Sequence, residues 1–450
     1  MRAPRARRRW NIRAHRKTNI RAILGWIRKH PTVVVADVAH ATKLSKNTVK
    51  TTIDLLGSMN LVVSAGKGES TEEGGKRPEL YRFNEKFGYV ISIHVRERAI
   101  FAALTNLHAD ITELLTQDVT DRALPAVLRQ ITGLFRELVG RKAGNGEHLV
   151  GLVVALPGVV DAAGGTSIYS PHYPGWGRSV PFLRLLRDQL GPSFDAPIFV
   201  DCVNRYQAIA EREKGVARGE TNFIIVDVNE GLGSGIVTHG QLMRGGRSLS
   251  GEIGHMTVVP FDGPTCNCGN RGCFEAMVSA RRVREIIALA RANGSGPAAL
   301  AGVRTEDIDL GEVCRLAREG EPFSAALVQD MAKWFVIGLG NIIMVNDPDL
   351  IVLQGKYLEA GERFLEMLRR GLQQVGLPDV VRNVRIERST LGEERGVIGG
   401  AAYAISEFFA SRLQFSAGPG TGPSPRVATG RPGVRRAGVA PGRRVARAGS

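Results

Sequence analysis

From Gly88 to about residue 404, short apolar segments alternate with segments whose apolar residues recur at helical spacing. The segments "GYVISIHV" and "IFAALTNL" predict paired strands, and "LVGLVVALPG" and "PIFVD" predict two more, each preceded by a helix. This alternation is typical of an α/β fold. Since 450 residues exceed one ordinary core, we expect two or three domains, with the α/β part in two lobes.

A different pattern precedes residue 88. Residues 18–30 carry apolar side chains at helical intervals until Pro31, and "VADVAHATKL" predicts a second short helix. The segment "LSKNTVKTTIDLLGSMN" predicts a third helix, with Ser45 as its N-cap and Gly57 near its end. "LVVSAGKG" and "RPELYRFN" predict two strands joined by a Gly-rich loop. Three helices and a hairpin over residues 18–84 predict a winged helix-turn-helix, although periodicity alone leaves an unrelated helical bundle open.

The positive charge of the chain lies at its two ends. Residues 1–29 hold eleven Lys and Arg, and residues 421–450 hold seven Arg, with no acid in either segment. Because the whole chain carries a net charge of +16, the body between these ends is close to neutral. A basic N-terminus beside a helix-turn-helix favours nucleic acid as a partner. We expect residues 1–17 to form a disordered basic arm and the Gly/Pro/Arg-rich residues 413–450 a disordered tail.

The third predicted helix offers a polar face for operator DNA. With Val49 and Ile53 facing the core, Lys and Asn side chains on the other side can read base edges, while Ser and Thr can bond phosphates. The loop "GGKRP" between the two strands would bring further cations to phosphates or to the minor groove. The predicted DNA contacts are Ser45, Lys46, Asn47, Lys50, Thr51, Lys76 and Arg77. Each charge alone would suit a solvated face, but together they favour DNA binding.

The stretch "CNCGNRGCFE", from Cys266 to Glu275, packs three cysteines into ten residues. A disulfide uses two thiols, and a redox pair usually reads C-x-x-C. His255, eleven residues upstream, supplies a fourth ligand, and three thiolates with one imidazole suit a four-coordinate structural zinc. A lone histidine would more often be a core or surface residue. The predicted Zn²⁺ ligands are His255, Cys266, Cys268 and Cys273.

Cysteine usage and hydropathy indicate a compartment. Five cysteines, three of them in one cluster, favour a reducing cytoplasm over a disulfide framework. We find no run of about eighteen apolar residues, and the basic N-terminus lacks the apolar core of a signal peptide. We therefore expect a cytoplasmic protein without a membrane partner, associated with the nucleoid when it is bound to DNA.

The segment "GLGSGIVTHGQLMRGGRSLSGEIGHMTV" followed by "CNCGNRGCFE" resembles the signature of the ROK family (repressor, open reading frame, kinase), which comprises bacterial sugar kinases and sugar-responsive repressors. The resemblance covers residues 88 to about 410. It implies a two-lobed actin/hexokinase-like α/β domain at 88–412, and the winged helix in front resembles the repressor branch. It also implies a sugar site formed by Asp201, Asn204, Glu252, His255 and Glu275, whose carboxylates and amides suit paired hydroxyl groups. The alternative is that these side chains cap helices or lie on the surface.

Two kinase motifs of that family are altered in this chain. His94 stands where the first phosphate loop has an Asp, and Arg96 and Glu97 replace its glycines. In "VDCVNRYQAIAE", matching Asn204 to the second Asn of the family's N-D-A-N places Cys202 at the catalytic Asp. A neutral thiol is a poor acceptor for a sugar proton. The later turn "NEGLGSG" keeps its glycines. We therefore expect no kinase activity.

Together these patterns predict a sugar-responsive, DNA-binding transcription regulator, and specifically a repressor. A homodimer is expected because such regulators bind two half-sites with matching two-fold symmetry, and a tetramer stays open. Two alternatives stay open as well. One is an ATP-dependent sugar kinase of the ROK type that also binds DNA. The other is a DNA-binding regulator whose pocket responds to a protein partner instead of a sugar.

Overall fold

The first part of the chain is a small helical unit with a hairpin. A computed structural model describes residues 19–68, 77–142 and 146–415, with side chains as far as residue 411. The elements of this unit are helices α1 (19–29), α2 (Val35–Thr42) and α3 (Lys46–Ser58) and strands β1 (Val62–Lys67) and β2 (Glu79–Phe83). The strands pair antiparallel, and Val33 forms an isolated bridge to Tyr81. These elements form the predicted winged helix-turn-helix.

Local chemistry sets the turn between α2 and α3. Lys43 adopts the left-handed conformation, with φ of 55°, and this ends α2. Ser45 caps α3, because its hydroxyl oxygen accepts a hydrogen bond from the Thr48 amide at 3.1 Å. Val49 and Ile53 are then buried on the inner face of α3, as the sequence predicts.

The first lobe is a five-stranded sheet flanked by helices. Its strand order is β5-β4-β3-β6-β9, with β3, β6 and β9 parallel and β4 and β5 added antiparallel at one edge. A two-stranded hairpin, β7–β8, lies between β6 and β9 in the chain. The elements are β3 (Gly88–Val95), β4 (Ala99–Thr105), β5 (Ile111–Asp118), α4 (Leu124–Lys142), β6 (His148–Leu156), β7 (Val159–Asp161), β8 (Thr166–Tyr169), α5 (Phe182–Leu190) and β9 (Ile198–Cys202).

Helix α6 (Val203–Lys214) leads from β9 to the second lobe, which is also built on a five-stranded sheet. Its strand order is β12-β11-β10-β13-β14, with β10, β13 and β14 parallel. The elements are β10 (Phe223–Val228), β11 (Leu232–Thr238), β12 (Gln241–Leu242), α7 (Phe274–Val278), α8 (Ala280–Ala292), α9 (Leu310–Glu319), α10 (Pro322–Asn346), β13 (Leu350–Gly355), α11 (Glu362–Leu372), α12 (Pro378–Val381) and β14 (Arg385–Arg388). The predicted two-lobed α/β fold is confirmed.

The last helix, α13 (Arg395–Phe415), returns to the first lobe and packs on α6, β3 and β6. The two helices approach so closely at Gly399 that an added Cβ would lie 1.7 Å from the Tyr206 carbonyl oxygen. Helix α13 extends three residues into the segment predicted as a disordered tail, so residues 413–415 are helical. The rest of that tail and the predicted basic arm lie outside the described residues.

The winged helix and the first lobe share one apolar core. Buried residues of α1, such as Ile20 and Ile23, belong to the same cluster as buried residues of β3, α6 and α13. The rings of Phe83 in β2 and Phe409 in α13 lie 6.1 Å apart, and the Arg28 guanidinium lies over both rings. The winged helix is therefore packed on the first lobe instead of being held by the chain alone.

Helix α10 is both long and apolar. Among the described residues it is the one helix whose length and composition would allow it to cross a membrane, with a mean hydropathy of 1.2 over its most apolar eighteen residues. This qualifies the expectation that the sequence has no such segment. Half of that window is buried inside the protein, and Phe335 and Leu339 are almost fully buried in the second lobe. A core helix passes the same test, so α10 is weak evidence for a membrane span.

Candidate functional site

A cavity of about 350 Å³ opens between the two lobes. The ends of β3 and β9, the start of α6, the β10–β11 turn and the segment before α7 all contribute to it. Four of the five predicted sugar contacts line the cavity: Asn204, Glu252, His255 and Glu275. The fifth, Asp201, does not line it. The structure thus brings together side chains that are up to 71 residues apart in sequence, from 204 to 275.

Glu252 presents a carboxylate that is available to a ligand. It immediately precedes the short helical turn Ile253–His255. Within the part of the chain that the structure describes, no hydrogen bond or ion pair engages this carboxylate. Burial raises the pKa of Glu252; the nearby His255 and Arg205 lower it, and the Glu275 carboxylate raises it. A half-buried acid without a protein partner is well suited to accept hydrogen bonds from hydroxyl groups.

Glu275 is held by the backbone of the second lobe. It is only 9% exposed, and its Oε2 accepts a hydrogen bond from the Leu232 amide at 2.8 Å. A Cβ at Gly231 would lie 2.7 Å from this oxygen, so a side chain at that position would displace the Glu275 carboxylate. The other oxygen, Oε1, lies 3.8 Å from the Cys266 sulfur. Glu275 therefore joins the first turn of α7 to β11 and to the cysteine cluster.

Asn204 and Cys202 line the wall formed by the start of α6. The Asn204 amide donates to the Gln207 side chain at 3.0 Å, and the Cys202 sulfur lies 3.6 Å from the Asn204 side-chain oxygen. Burial raises the pKa of Cys202 to about 12, and the negative charge of Glu252 contributes in the same direction. The Cys202 thiol is therefore neutral at physiological pH. It can accept or donate only weak hydrogen bonds.

Asp201 does not face the cavity, in contrast to its predicted role as a sugar contact. Its side chain is 1% exposed, and Arg205 and Arg244 donate to its two oxygens at 2.6 Å and 2.9 Å. The physical reason is that a buried carboxylate needs charged partners, and both guanidinium groups lie nearby in the folded chain. The sequence did not indicate Arg244, which lies 43 residues away in the loop after β12.

His255, Cys266, Cys268 and Cys273 form one compact cluster, as predicted. Their ligand atoms all lie within 4.8 Å of one another, with 3.7 Å between the sulfurs of Cys268 and Cys273 and 3.7 Å between Cys266 Sγ and His255 Nδ1. Tetrahedral zinc with bonds of about 2.3 Å to sulfur and about 2.1 Å to nitrogen places such atoms about 3.6–3.8 Å apart. A disulfide would need about 2.05 Å. The cluster could therefore hold a metal ion, and its spacing fits zinc.

The glycines between the cysteines make the cluster possible. Gly269 and Gly272 adopt positive φ values of 94° and 66°, which other residues rarely adopt. At Gly272 an added Cβ would lie 1.6 Å from the Val259 carbonyl oxygen, so that position also has no room for a side chain. These two turns bring Cys268 and Cys273 to the same point.

The opposite wall of the cavity contains charged groups that pair with each other. His94, at the end of β3, is buried, and burial together with Arg96 and Arg395 lowers its pKa to about 3, so its ring is neutral. Arg96 pairs with Glu393 at 2.5 Å, across the gap between the lobes. Arg395 pairs with Asp227 at 3.3 Å. No motif in the sequence indicated Glu393, which lies 297 residues from its partner.

The comparisons with known proteins agree with this geometry. The sequence pattern of the ROK family matches residues 91–407, most of the chain. The chain belongs to the ROK family. It is 28% identical to a protein named putative xylose repressor from Caldicellulosiruptor sp. (strain Rt8B.4), over 86% of this chain and 95% of that protein. It is 26% identical to a glucokinase of Thermotoga maritima, over 70% of this chain and 96% of that protein.

A solved structure extends the comparison to the winged helix. A ROK family transcriptional regulator, described as a homologue of the Escherichia coli protein Mlc, superposes with a TM-score of 0.76 at 21% identity. The match covers 89% of this chain and 98% of that structure. At this identity it establishes the fold alone. The shared fold includes more than the ROK domain, because the family pattern begins only at residue 91.

Most of the predicted DNA contacts of this ROK protein are exposed in the structure. Lys46, Asn47 and Thr51 are exposed along the outer face of α3, and Arg77 is exposed in the wing, while Lys76 lies outside the described residues. The Ser45 hydroxyl is engaged as the N-cap of α3. The cap uses the oxygen as an acceptor, so the hydroxyl hydrogen can still be donated to a phosphate.

Lys50 has two partners that the sequence did not indicate. Its ammonium group donates to Asp54 at 2.7 Å and to the Tyr81 hydroxyl at 3.0 Å. Both hydrogen bonds raise the pKa of Lys50, and Asp54 has the larger effect. Tyr81 in turn donates to Glu79 at 2.6 Å, so the outer face of α3 is connected to strand β2 of the wing. Lys50 therefore links α3 to the wing as well as carrying a charge that DNA could use.

Proposed function

We propose that this ROK protein is a sugar-responsive, DNA-binding transcription regulator, and specifically a repressor that has lost kinase activity. The observation that carries the proposal is the combination in one chain of a winged helix with exposed cations and an inter-lobe cavity. The cavity contains an acid, Glu252, that has no partner among the described residues. The cavity of about 350 Å³ lies within the usual range for small-molecule sites, about 300–1,000 Å³. The similarity to a protein named xylose repressor makes xylose the first sugar to test.

The sugar would be held by the wall that includes the cysteine cluster. We assign Glu252 and Glu275 as acceptors for hydroxyl hydrogens and Asn204 as a group that can both donate and accept. His255 would use Nδ1 for the metal, which leaves its other ring nitrogen for the ligand. These side chains come from α6, from the segment before α7 and from α7 itself, so a bound sugar would bridge the two lobes.

The proposed metal is Zn²⁺, held by His255 and the three cysteines. With four protein ligands it would supply structural cross-linking and no open coordination position. The effect would be to fix the backbone between His255 and Glu275, two of the proposed sugar contacts. Because Cys266 also lies 3.8 Å from the Glu275 carboxylate, the metal cluster and the sugar wall would form one rigid unit.

A sugar kinase is the second candidate, since glucokinases are among the relatives. Three features oppose it. The group at the catalytic position, Cys202, is neutral because its pKa is raised to about 12. His94 is neutral and buried, and the Arg96–Glu393 ion pair spans the space where a nucleotide phosphate would approach the sugar. The group at the catalytic position is therefore not in a state to accept the proton of an attacking hydroxyl group.

The DNA partner would be a roughly palindromic operator. We propose that Lys46, Asn47, Thr51 and Arg77 face the DNA, together with Lys50, Lys76 and Ser45 from the sequence prediction. A homodimer would match the two half-sites, and cytoplasmic location with nucleoid association follows from DNA binding. A binding constant that falls steeply with salt is expected, because these cations displace counterions from phosphates.

The test is operator affinity with and without sugar. An operator is first selected from random double-stranded DNA with the purified full-length protein, and its affinity is then measured by fluorescence anisotropy at fixed salt. We expect xylose, or another sugar in a panel, to change this affinity by about 5- to 150-fold, which corresponds to a coupling of about 1–3 kcal/mol. Operator DNA must then change the sugar affinity by the same factor.

Two variants separate the parts of the proposal. Glu252→Ala and Glu275→Ala should abolish the sugar effect and leave operator affinity within about twofold, since neither residue is near α3. If the wild-type protein selects an operator but no sugar binds, the pocket responds to a protein partner or to nothing. Phosphorylation of a sugar by the wild-type protein at a rate typical of kinases would instead establish the enzyme.

A further inference from the structure

We propose that Asp201 is a positioning residue for the effector site, which holds the loop 243–251 and so places Glu252 at the cavity. The inference rests on the proposed function, because its consequence is measured as sugar affinity. The sequence resemblance implied that Asp201 touches the sugar directly. The geometry points to a different role, which acts through two arginines and a loop.

Asp201 is the centre of a buried ion triad. It lies at the end of β9, and its Oδ1 accepts from Arg205 at 2.6 Å and from the Cys202 amide at 2.8 Å. Its Oδ2 accepts from the Arg244 guanidinium at 2.9 Å and 3.2 Å. Both oxygens are therefore engaged, and Asp201 and Arg205 are each only 1% exposed. Two donors of the Arg244 guanidinium converge on one oxygen while Arg205 holds the other, so both charged partners fix the Asp201 carboxylate.

The two arginines attach opposite ends of the loop to this triad. Arg244 belongs to the first part of the loop, and its carbonyl oxygen accepts from the Ser250 amide at 3.1 Å. Arg205 donates to the carbonyl oxygens of Ser248 and Ser250 near the loop's end. A single carboxylate thus organises both parts of the loop through side chains that point to it from opposite directions.

The last residue of the loop, Gly251, fixes the backbone immediately before Glu252 and so places Glu252 at the cavity. The Gly251 carbonyl oxygen accepts from the Ser234 hydroxyl at 2.7 Å, and Gly251 has a φ of 97°, which favours glycine. The chain then enters the turn Ile253–His255, which includes one of the proposed metal ligands. Between the triad and the metal cluster, Glu252 has no partner of its own among the described residues, so its position depends on how its two neighbours in the chain are held.

The charges of the triad also connect Asp201 to Glu252. Two guanidinium groups surround one carboxylate, so the triad carries an excess positive charge, and Arg205 lowers the pKa of Glu252. Loss of the Asp201 charge would leave the buried Arg205 without its acid, which is a costly state in a site of low polarity. Arg205 would then lose the charged partner that orients it toward the Ser248 and Ser250 carbonyl oxygens, and the end of the loop would be held less firmly.

The experiment compares Asp201→Asn with a matched control, Glu220→Gln, which removes the acid of the exposed Arg385–Glu220 pair in the second lobe. Two quantities are measured on the full-length, zinc-loaded protein: the affinity for xylose, or for the sugar that the panel identifies, by calorimetry, and amide hydrogen exchange of residues 243–251 without sugar. For Asp201→Asn we expect sugar affinity to fall by about 10- to 100-fold, as expected for a misplaced contact. Exchange in 243–251 should rise at least about tenfold, while that of the control is unchanged.

Two variants of Arg244 test the same proposal independently of Asp201→Asn. Arg244→Gln, at a position that is about one third exposed, leaves the Asp201–Arg205 pair intact and should give the same pattern if Asp201→Asn fails to fold. Arg244→Lys should restore part of the affinity, which a merely structural role would not require. Wild-type exchange and wild-type sugar affinity in both Asp201→Asn and Arg244→Gln would overturn the proposal. If no sugar binds the wild-type protein, the proposed function fails, and the exchange measurement alone decides whether Asp201 holds the loop.

Discussion

The two walls of the inter-lobe cavity differ in how their polar groups are used. On the wall with the cysteine cluster, Glu252 has no protein partner among the described residues, and Glu275 is held by one backbone amide. On the opposite wall, Arg96 and Arg395 are each paired with an acid, and His94 is buried and neutral. One wall offers free hydrogen-bonding capacity to a ligand, and the other wall has satisfied its charges internally.

On the proposed function, this difference would let a ROK fold bind a sugar without transferring a phosphoryl group. Sugar recognition needs oriented acceptors and donors, which the first wall still provides. Phosphoryl transfer also needs a charged base and open groups for the phosphates. The Cys202 thiol at the start of α6 is neutral, and the second wall has closed ion pairs. Single substitutions can alter one wall of the cavity at a time.

The largest effect is expected from breaking the metal cluster. Cys273→Ser should reduce the zinc content from about one ion per chain to almost none, because three remaining ligands rarely close a structural site. The melting temperature should fall with it, by roughly 2–4 °C for each kcal/mol of stability lost in a domain of this size. Elemental analysis and a thermal melt measure both quantities.

A matched cysteine serves as the control for that variant. Cys314 is buried in α9, outside the cluster, so Cys314→Ala should keep its zinc. Absence of zinc from freshly purified wild-type protein, prepared without chelators, would contradict the assignment.

The next largest effect compares one acid from each wall. Glu252→Gln should weaken sugar binding by roughly 5- to 150-fold, since it removes a charged acceptor from a half-buried site. Glu393→Gln should change sugar affinity by no more than about twofold, because Glu393 serves Arg96 and not the ligand. Titration calorimetry with the same sugar measures both. Equal losses in the two variants would mean that the walls are not functionally distinct.

A smaller effect is expected in the pH dependence of stability. Because the pKa of Glu252 is raised in the folded state, the folded protein holds a proton that the unfolded chain releases between the two pKa values. As the pH falls through the raised pKa, protonation of Glu252 removes the cost of burying its charge, and the free energy of unfolding rises. Above that pKa, the buried charge lowers the free energy of unfolding. The slope is at most about 1.4 kcal/mol per pH unit.

The measurement is urea unfolding of the wild type and Glu252→Gln from pH 7.5 to pH 5. Glu252→Gln lacks the titrating group, so its stability advantage over the wild type should shrink as the pH falls. An advantage that grows on acidification would show that the sign of the shift is wrong.

The smallest effect is expected from restoring the catalytic acid alone. Cys202→Asp should not produce measurable sugar phosphorylation, because Arg96 and Glu393 would still close the phosphate side of the cavity. A coupled assay for ADP release, with a glucokinase as the positive control, measures this. Turnover in Cys202→Asp would mean that a single residue separates this regulator from a kinase.

How much the sequence could predict depended on the distance between interacting residues. The four residues of the His/Cys cluster lie within nineteen positions, from 255 to 273, and their types and spacing are nearly sufficient to predict that they come together. The helices and strands followed from periodicity for the same reason, since the signals are local. Ser45 as the cap of α3 is a further local feature that the structure contains.

The features that the sequence did not reveal depend on long-range partners. Asp201 was expected at the sugar because the family resemblance places it in the sugar site, but Arg244 comes from another element and engages it. Lys50 was expected on the DNA face, and Tyr81 of the wing also binds it, 31 residues away. A family motif gives the position of a side chain along an element, and the charges that surround it are decided by the whole fold.

The apolar core shared by α1, β2 and α13 limits how this regulator can be re-engineered. A chimera cut near residue 86 would separate Phe83 from Phe409 and leave Arg28 without the carbonyl group of Leu107. Both halves would then expose to water apolar side chains that are buried in the intact chain. The outer face of α3 takes no part in the shared core. Substitutions on this face are therefore a better way to change DNA specificity than transplanting the whole winged helix.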